Sequence, residues 1–298
     1  MENPTKNSVL ITGINGFTGR HLETLLVAKG FNVYGTTFSE PQEMNHLKCD
    51  ILNLEELKKI ILTIRPDYVF HLAAISFVAA EDIIEMYKTN TIGTLNLLDA
   101  LYTLNISPTK IVIASSAAVY GNVGSVLSEE MCPKPVNHYG NSKLAMENMV
   151  VSYFDKLNII VSRPFNYTGV GQEDNFLIPK IVRHFKERRK IIELGNIDTF
   201  REYNDVGFLV DCYEKLIRSD FKSGVVNIAS GKTYSIKKIL ELMKNISSHN
   251  IEIKINDQFV RKNEIKELKG SSKKLTKLIG KPDIEFSLRK TLNEMYIR

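Results

Sequence analysis

A tyrosine and a lysine four residues apart, Tyr139 and Lys143, are the side chains in this sequence best suited to chemistry. On a helix this spacing places both side chains on one face. An ammonium beside a phenol favours the phenolate, so we expect Lys143 to lower the pKa of Tyr139 from about 10. A tyrosine tuned in this way exchanges protons near neutral pH. Beside a nicotinamide, the pair is suited to interconverting a carbonyl and an alcohol.

A serine pair supplies a third group for the same chemistry. Ser115 and Ser116 follow a predicted buried strand over residues 110–114. Because ligands of doubly wound sheets lie beyond the carboxyl ends of the strands, Ser116 is placed to donate a hydrogen bond to a substrate oxygen. Alone, a serine pair is ordinary turn chemistry, and Tyr-x-x-x-Lys is ordinary on helices. The catalytic candidates Ser116, Tyr139 and Lys143 gain specificity from their order after a glycine-rich turn.

The elements that position these groups begin with that glycine-rich turn. Gly13, Gly16 and Gly19 form G-x-x-G-x-x-G between a short apolar strand, residues 9–12, and a helical pattern that continues to residue 29. The first glycine allows a tight turn, the second admits a pyrophosphate near backbone amides, and the third brings helix and strand close. A plain turn is the alternative, but the strand–turn–helix context favours a dinucleotide. The predicted cofactor contacts here are Gly13, Asn15, Gly16, Phe17, Thr18 and Gly19.

The end of the second predicted strand, residues 31–37, bears on the choice between NAD and NADP. NAD enzymes often place a carboxylate there for the ribose hydroxyls. This chain has Thr36 and Thr37 instead, with no acid before Glu40. These hydroxyls do not repel an adenosine 2′-phosphate. No arginine follows the strand, although Arg20 follows the third glycine. The pattern therefore favours NADP(H) over NAD(H).

A third short strand, predicted over residues 47–49, is followed by Asp50 and Ile51. We expect these two residues to contact the adenine edge of the cofactor. A turn or a helix N-terminal cap is the alternative role for Asp50.

Composition places the chain among ordinary globular proteins. It has 298 residues, of which 43% are apolar and 24% charged, and a formal net charge of +5. The sequence shows no basic stripe with interleaved aromatics, which argues against a nucleic-acid partner, and no apolar stretch long enough to span a bilayer. The three cysteines are far apart and lack metal-ligand spacing. We therefore expect no metal site, reduced thiols and a cytoplasmic location.

Strands alternate with helices through the first half of the chain. This alternation is typical of right-handed β-α-β units that build a parallel sheet covered on both faces. We therefore predict an α/β fold with a doubly wound parallel sheet of the Rossmann type for residues 1–163, with segments near 200–230 returning to it. Residues 164–298 are predicted to form mostly a smaller C-terminal α/β substrate lobe. Further predicted elements are helix 54–65, strand 67–72, helix 83–104, helix 136–156 and strand 158–162.

Several motifs together resemble one family. They are Thr12-Gly13-x-x-Gly16-Phe17-x-Gly19, His71-Leu72-Ala73-Ala74, Asn90, Ser116-x-x-Val119-Tyr120-Gly121, Tyr139-x-x-x-Lys143 and Arg163-Pro164-Phe165-Asn166. The chain resembles an extended short-chain dehydrogenase/reductase of the nucleotide-sugar epimerase/dehydratase type. The matching motifs span the N-terminal half and the entry to the second lobe.

The resemblance implies a role for each matching residue. Tyr139 would be the general acid/base, Lys143 would hold the nicotinamide ribose, and Ser116 would orient the sugar carbonyl. Asn90 would support the active site from its helix. The cofactor groove implied in this way is lined by Leu72, Ala73, Ala74, Asn90, Tyr139 and Lys143.

The resemblance also implies the substrate contacts Ser76, Ser116, Asn166, Arg201 and Arg261. Asn166 and Arg201 lie where family members contact the substrate diphosphate, and a guanidinium fork suits that target. A surface ion pair is the alternative for Arg201. The tail around Arg261 is similar to that of reductases acting on GDP- or dTDP-linked 4-keto-6-deoxy sugars. Gly207 departs from the charged residue usual after Asp-Val in the family, which leaves the local hydrogen bonding open.

The residue types at positions 117 and 118 distinguish between the reactions that members of this family catalyse. Family dehydratases usually carry an acidic pair there, whereas Ala117 and Ala118 cannot move a proton, so dehydration is disfavoured. We predict a reductase that uses NAD(P)H at the C4 keto group of a nucleotide-linked 4-keto-6-deoxyhexose, in deoxysugar biosynthesis for surface polysaccharide. A 4-epimerase with tightly bound NAD shares the Ser–Tyr–Lys set and is the alternative. A non-catalytic sensor or scaffold is a minor alternative, because such proteins typically lose the tyrosine or the lysine.

The predicted helices 83–104 and 136–156 have apolar faces. In the resembled family, such helices commonly pair with their copies in a four-helix bundle, which implies a homodimer. Covering the sheet is the alternative use of these faces.

Overall fold

A seven-stranded sheet with all neighbouring pairs parallel forms the centre of the protein. The structure is a computed structural model that describes residues 7–41, 43–76, 82–259, 266–281 and 287–298. The doubly wound parallel sheet predicted from the sequence is confirmed. From one edge to the other, its strands are Gly224–Ile228 (β12), Ile159–Pro164 (β7), Lys110–Ala114 (β5), Tyr68–His71 (β4), Ser8–Thr12 (β1), Asn32–Thr37 (β2) and His46–Lys48 (β3).

Helices cover both faces of this sheet. Alternate side chains of β1 point to opposite layers, since Val9 and Ile11 join one buried cluster and Leu10 joins the other. No helix in the described ranges is long and apolar enough to cross a membrane. The helices are Phe17–Ala28 (α1), Leu54–Ile64 (α2), Ile83–Tyr87 (α3), Gly93–Thr103 (α4), His138–Val151 (α5), Leu177–Lys186 (α6), Val206–Arg218 (α7), Ile236–Ser247 (α8), Lys273–Ile279 (α9) and Leu288–Ile297 (α10).

The two helical layers have separate cores. Leu26 of α1 and Leu216 of α7 pack with one face of the sheet. Leu57 of α2, Leu101 of α4 and Met146 of α5 pack with the other face. Because α7 and β12 belong to this unit, the chain returns to the central sheet after residue 205.

Another core lies outside the central sheet, where Ile181 of α6, Ile239 of α8 and Leu292 of α10 pack together. The remaining strands are Ser125–Leu127 (β6), Tyr167–Thr168 (β8), Ile191–Leu194 (β9), Phe200–Glu202 (β10), Asn204–Asp205 (β11), Thr233–Ser235 (β13), Glu252–Ile255 (β14) and Glu267–Gly270 (β15). They form one sheet of order β13-β10-β15-β6 and the pairs β11-β8 and β14-β9.

Two predicted helices differ from the structure. The helix expected over residues 83–104 is interrupted by a π-helical turn, Lys88–Ile92, between α3 and α4. The helix expected over residues 136–156 is shorter. It begins at His138, because the Asn137 side chain caps it by accepting a hydrogen bond from the Gly140 amide at 2.8 Å, and it ends at Val151.

Candidate active site

The glycine-rich turn joins β1 to α1 in a backbone conformation that requires glycine. Gly13 has φ +72°, and a Cβ atom there would lie 2.8 Å from the Cα atom of Ala73. A Cβ atom on Gly19 would lie 2.4 Å from the carbonyl oxygen of Ile14. The tight turn and the close packing of α1 on the turn are therefore properties of these two glycines, and the turn rests on the segment that follows β4.

The N-terminus of α1 is suited to an anion. The helix begins after Gly16, no side chain in the described structure caps it there, and its first turn carries no acidic residue. Free amides at a helix N-terminus bind phosphate groups. Phe17 and Thr18 in this turn contact Tyr167, through ring stacking with centroids 5.9 Å apart and through a hydroxyl–hydroxyl hydrogen bond of 2.8 Å. These residues fit a dinucleotide pyrophosphate.

The end of β2 presents hydroxyl groups beside the turn. Thr36 and Thr37 are buried, and the Asn15 side-chain amide donates to the Thr37 hydroxyl at 3.0 Å. Arg20 donates from Nε to the carbonyl oxygen of Asn15 at 2.8 Å, which holds its guanidinium near the same place. Glu40, the first acid after β2, is paired with Lys48. The side chains near the end of β2 thus include hydroxyl groups, the Arg20 guanidinium and the Glu40–Lys48 ion pair.

The residues after β3 form a turn. The Asp50 carboxylate accepts a hydrogen bond from the Leu52 amide at 2.9 Å, which is the turn role given above as its alternative. Ile51 is buried against α4. Contact of Asp50 and Ile51 with adenine stays a prediction.

Ser116 follows β5 and caps a short 3₁₀ turn, Ala117–Tyr120. Its hydroxyl oxygen accepts a hydrogen bond from the Ala118 amide at 3.1 Å. The hydroxyl proton is left to donate to another group. A Cβ atom on Gly140 would lie 2.7 Å from the Ala118 carbonyl oxygen, so α5 approaches this turn closely because residue 140 is glycine.

Tyr139 and Lys143 lie on α5 beside this turn. Lys143 is buried, and its ammonium donates to the carbonyl oxygen of Ala114, at the end of β5, over 2.8 Å. Tyr139 is partly exposed as a whole residue, but its phenol group is buried, and the Ser116 side chain contributes a hydrogen bond to that phenol. The structure therefore brings Ser116, Tyr139 and Lys143 together at the carboxyl end of β5.

The acidity of Tyr139 differs from the expectation. Burial raises the pKa of the phenol to about 12, and hydrogen bonding by Ser116 offsets this only in part. Burial also lowers the pKa of Lys143 to about 8, against the opposing effect of Glu147. The prediction that Lys143 lowers the pKa of Tyr139 below its usual value is wrong for this structure, because burial raises that pKa and the Lys143 ammonium donates to the Ala114 carbonyl instead.

Asn90 occupies the π-helical turn and connects two segments of the site. Its side chain accepts a hydrogen bond from the Ile75 amide at 2.9 Å and donates to the Ile75 carbonyl at 3.1 Å. It also donates at 3.0 Å to the Ser142 hydroxyl, which in turn donates to the carbonyl oxygen of Tyr139. Such turns often occur at functional sites. Here the turn fixes the segment after β4 relative to the first turn of α5.

His71 is a buried residue of the site whose role the motif did not reveal. Its Nε2 and Nδ1 atoms lie 2.9 Å from the Thr94 hydroxyl and 2.7 Å from the Thr12 hydroxyl. Thr94 donates to the Asn90 carbonyl and Thr12 accepts from the Ala73 amide, so Nε2 carries the proton and Nδ1 accepts. Burial, followed by the Lys143 charge, lowers the pKa of His71 to about 3. Leu72, Ala73 and Ala74 follow this anchored residue directly.

A second buried group that sequence reasoning missed is the ion pair of Glu147 and Arg163. Both side chains are 5% exposed, and the guanidinium donates from Nε and Nη2 to the two carboxylate oxygens at 2.9 and 2.6 Å. The available signal was the position of Glu147, four residues after Lys143 on the same helix.

The candidate substrate residues lie in several segments. Asn166 is exposed, and its carbonyl accepts a hydrogen bond from the Asn204 amide at 2.8 Å, which joins β8 to the strand following Arg201. Arg201 is partly exposed on β10, and Ser76 is exposed at the end of a described range. Arg261 lies outside the described residues. Their contacts with substrate stay predictions.

The hydrogen bonding at Gly207, left open by the sequence, is defined in the structure. The Gly207 amide donates to the Asp205 carboxylate at 2.6 Å, so Asp205 caps α7. The second oxygen of Asp205 accepts from the Thr291 hydroxyl at 2.6 Å, which holds α10 nearby. Across the described ranges, no cluster of metal-ligating side chains is present.

Comparison with known proteins identifies the family. The family model described as GDP-mannose 4,6 dehydratase matches residues 10–295. The chain belongs to this family. The resemblance drawn from the motifs above is thereby confirmed.

Proteins and structures similar to this chain include a dehydrogenase and a reductase of GDP-linked 6-deoxy sugars by name. A GDP-6-deoxy-D-talose 4-dehydrogenase of Aggregatibacter actinomycetemcomitans is 39% identical, covering 97% of this chain and 96% of the relative. A GDP-6-deoxy-D-mannose reductase of Pseudomonas aeruginosa is 32% identical, covering 96% of each. The structure of RMD from Pseudomonas aeruginosa complexed with NADPH has a TM-score of 0.86 at 29% identity, covering 98% of this chain and 97% of that chain.

Residues 117 and 118 differ from those of the dehydratases after which the family is named. Dehydratases of this type usually carry an acidic pair after the catalytic hydroxyl, and this chain has Ala117 and Ala118 there. In the structure both alanines belong to the turn that Ser116 caps. This member of the family therefore lacks the side chains that elimination of water requires at these two positions.

Proposed function

We propose that this protein reduces the C4 keto group of a nucleotide-linked 4-keto-6-deoxyhexose with NADPH or NADH. The observation that carries the proposal is the meeting of Ser116, Tyr139 and Lys143 at the carboxyl end of β5, with alanines at residues 117 and 118. The first three residues supply reduction chemistry, and the alanines remove the means for dehydration. The names of the two relatives above 30% identity support the same reaction.

Each catalytic side chain has a defined task in this reaction. A bound reduced dinucleotide supplies the hydride that C4 accepts. Tyr139 donates its phenol proton to the carbonyl oxygen as that oxygen gains negative charge. Ser116 donates a hydrogen bond to the same oxygen, since its own oxygen is already engaged by the Ala118 amide. The Lys143 ammonium stabilises the phenolate that remains, and the product is the C4 alcohol.

A GDP-linked sugar is the proposed substrate. Both relatives above 30% identity carry GDP in their names. The two named sugars, 6-deoxytalose and 6-deoxymannose, differ only in configuration at C4, so they are the two products of reducing one 4-keto sugar from opposite faces. We propose the 6-deoxy-D-talose product, because the relative with that name shares 39% identity against 32% for the other.

NADPH is the proposed reductant. Thr37 and Ser39 form a hydroxyl pair 3.0 Å apart at the end of β2, and the Arg20 guanidinium is held nearby by the Asn15 carbonyl. These groups donate hydrogen bonds to a 2′-phosphate, whereas a carboxylate for ribose hydroxyls is missing before Glu40. The similar structure of RMD was determined with NADPH.

The test is a small matrix of substrates and cofactors. GDP- and dTDP-linked 4-keto-6-deoxyhexoses are each mixed with NADPH and with NADH, and the loss of reduced-nicotinamide absorbance is followed with product NMR. We expect oxidation of NADPH with the GDP-linked substrate and a 6-deoxy-talo product. A parallel assay supplies sugar nucleotides that carry a C4 hydroxyl: interconversion of their C4 epimers without net cofactor oxidation would identify an epimerase, and cofactor binding without turnover of any substrate would identify a scaffold.

A homodimer is the proposed assembly. Ile84 in α3, Ile92 in the π-helical turn and Val151 at the end of α5 are exposed apolar side chains, with 69%, 43% and 55% of their surfaces accessible. Pairing of these helices with their copies would cover them. We expect Ile84→Lys to shift the mass in light scattering to a monomer. Val27→Lys on α1, at an exposed valine with 56% of its surface accessible, is the control.

A cytoplasmic location is part of the proposal. Cys49 and Cys212 are buried free thiols and Cys132 is an exposed one. Free cysteines are typical of reducing compartments.

A further inference from the structure

A buried carboxylate lies one helical turn beyond Lys143. Glu147 receives two hydrogen bonds from Arg163 of β7, at 2.9 and 2.6 Å. The Ser115 hydroxyl donates to the same carboxylate. One side chain of α5 is therefore tied both to β7 and to the residue directly before Ser116.

Arg163 extends this connection towards the edge of the sheet. Its Nη1 donates to the Tyr120 hydroxyl at 2.9 Å, and its guanidinium lies over the Tyr120 ring, 4.8 Å from the centroid. Tyr120 ends the 3₁₀ turn that Ser116 caps, and its hydroxyl donates to the Asn227 side chain of β12 at 2.8 Å. The Ser116 turn is thus held at both of its ends by groups that depend on Glu147.

Stability alone does not account for this ion pair. Burying both ions costs desolvation free energy, and apolar side chains of similar volume often stabilise a protein as well or better. What a bidentate guanidinium–carboxylate pair supplies is fixed geometry. Here the fixed parts are the helix that carries Tyr139 and Lys143 and the turn that carries Ser116.

We propose that Glu147 is a positioning residue, which holds the Ser116 turn against α5 and keeps a negative charge beside Lys143. The proposal rests on the proposed function, because Glu147 acts through Ser116 and Lys143 on the reaction assigned to them. It explains why a buried ion pair lies at this place in the fold.

The charged and titratable groups around Lys143 come from three elements. Glu147, on α5, raises the pKa of Lys143 against the lowering effect of burial. His71 on β4 and Tyr139 on α5 are neutral at pH 7, because burial lowers the pKa of the first to about 3 and raises that of the second to about 12. Arg163, on β7, is positive and lies against Glu147. Removal of the Glu147 charge leaves this guanidinium uncompensated, which lowers the pKa of Lys143 further.

The first test compares Glu147→Gln with a matched variant, Glu214→Gln. Glu214 is an equally buried carboxylate paired with Arg218 on α7. In E147Q we expect kcat to fall on the order of 10- to 100-fold, with the KM values for both substrates changed less than about threefold. We also expect the alkaline limb of kcat to move to lower pH, since Lys143 loses its proton earlier. E214Q is expected to keep the wild-type kcat and pH profile.

A double variant addresses loss of folding. E147Q leaves Arg163 buried without its partner, so E147Q/R163M removes both charges together. We expect this double variant to fold and to retain the loss of kcat. Wild-type kcat in the folded double variant would overturn the positioning role.

A structural measurement separates this proposal from the proposed function. If the wild-type protein oxidises no NADPH with any 4-keto sugar nucleotide, the proposed function fails. The crystal structure of E147Q/R163M then tests the positioning role of Glu147 independently of the proposed activity. We expect the distance between the Ser116 and Tyr139 hydroxyl oxygens to differ from wild type by about 1 Å, the scale at which misplacement costs rate. An unchanged distance would refute the proposal.

Discussion

The phenol of Tyr139 and the ammonium of Lys143 share one helix but have different partners. Lys143 donates to the Ala114 carbonyl, and burial raises the pKa of Tyr139 to about 12. A protonated phenol is the form that a reduction requires, because the carbonyl oxygen takes a proton as hydride arrives. High acidity of Tyr139 in the resting protein is therefore unnecessary for the proposed direction of reaction.

Replacement of Tyr139 by phenylalanine tests the proton donor. We expect Tyr139→Phe to lower kcat for reduction by about 100- to 10,000-fold, the usual contribution of a general acid. Fluorescence titration is expected to give an NADPH affinity close to that of wild type, because the groups at α1 and β2 remain. Tyr102→Phe, at an exposed tyrosine of α4, is the control. Turnover of Y139F near the wild-type rate would exclude Tyr139 from this role.

Replacement of Arg20 tests the cofactor preference. We expect Arg20→Ala to raise the KM for NADPH about tenfold, equivalent to about 1.4 kcal/mol, through loss of one guanidinium contact to the 2′-phosphate. The KM for NADH is expected to stay unchanged, since that cofactor lacks the phosphate. Lys29→Ala, at the other end of α1, controls for the change in net charge. An equal effect of R20A on both cofactors would contradict the assignment.

Residue spacing revealed some functional groups and not others. Tyr139, Lys143 and Ser116 were found from local patterns that the fold then brought together. Glu147 stands at the same spacing from Lys143, yet a charge on a helix is usually solvated, and only the guanidinium from β7 shows that this one is buried. Partners that come from distant strands are not encoded in helical spacing.

Among the elements, the π-helical turn Lys88–Ile92 has the most specific effect on the geometry of the site. It carries Asn90, whose amide connects the segment after β4 to α5. The sequence predicted one helix over residues 83–104, because one wider turn leaves the apolar periodicity on either side nearly unchanged. The presence of Asn90 was visible in the sequence, but the geometry that makes it a connector was not.

Replacement of Asn90 tests this connection. Asn90→Ala removes two part-buried side-chain hydrogen bonds to the Ile75 backbone and a buried one to Ser142. We expect the free energy of unfolding to fall by about 1–3 kcal/mol and kcat to fall as well, because the site loses a fixed contact. Urea unfolding and steady-state kinetics measure the two effects.

The matched control for this element is Asn158→Ala. Asn158 donates to the Thr109 carbonyl at 2.9 Å, at the amino ends of β7 and β5, whereas the site lies at their carboxyl ends. We expect its loss to lower stability without lowering kcat. An N90A variant that loses stability but keeps kcat, as N158A is expected to do, would show that Asn90 is purely structural.

At the scale of the whole molecule, the alternation of strands and helices predicted the central sheet. It did not predict the short strands that lie outside that sheet. β6 pairs with β15, and β8 pairs with β11, through strands of only two to four residues. Such short strands have too few positions to show an alternating pattern, and their partners are far away in the sequence. Asn166 and Arg201, two of the predicted substrate contacts, lie in this part, so its local sequence said little about the substrate.

Stability of the whole molecule in acid is expected to depend on His71. Burial lowers the pKa of His71 to about 3 in the folded protein, whereas the unfolded chain takes up a proton at about pH 6.5. The contribution of this group to stability is complete above pH 6.5 and is lost as the pH falls towards 3, at up to about 1.4 kcal/mol per pH unit. We expect urea unfolding of His71→Gln to show a shallower dependence on pH, with His249→Gln as the control. An identical pH dependence for H71Q and wild type would contradict this account.

Transfer of labelled hydride tests the central claim most directly. NADPH with both C4 hydrogens of the nicotinamide replaced by deuterium is mixed with the protein and a GDP-linked 4-keto-6-deoxyhexose, and the product is examined by NMR. We predict one deuterium at C4 of the sugar for each NADPH oxidised, with a 6-deoxy sugar as the only product. Oxidation of NADPH without deuterium at C4 of the sugar, or no oxidation of NADPH with this keto sugar, would contradict the assignment of this site to reduction at C4.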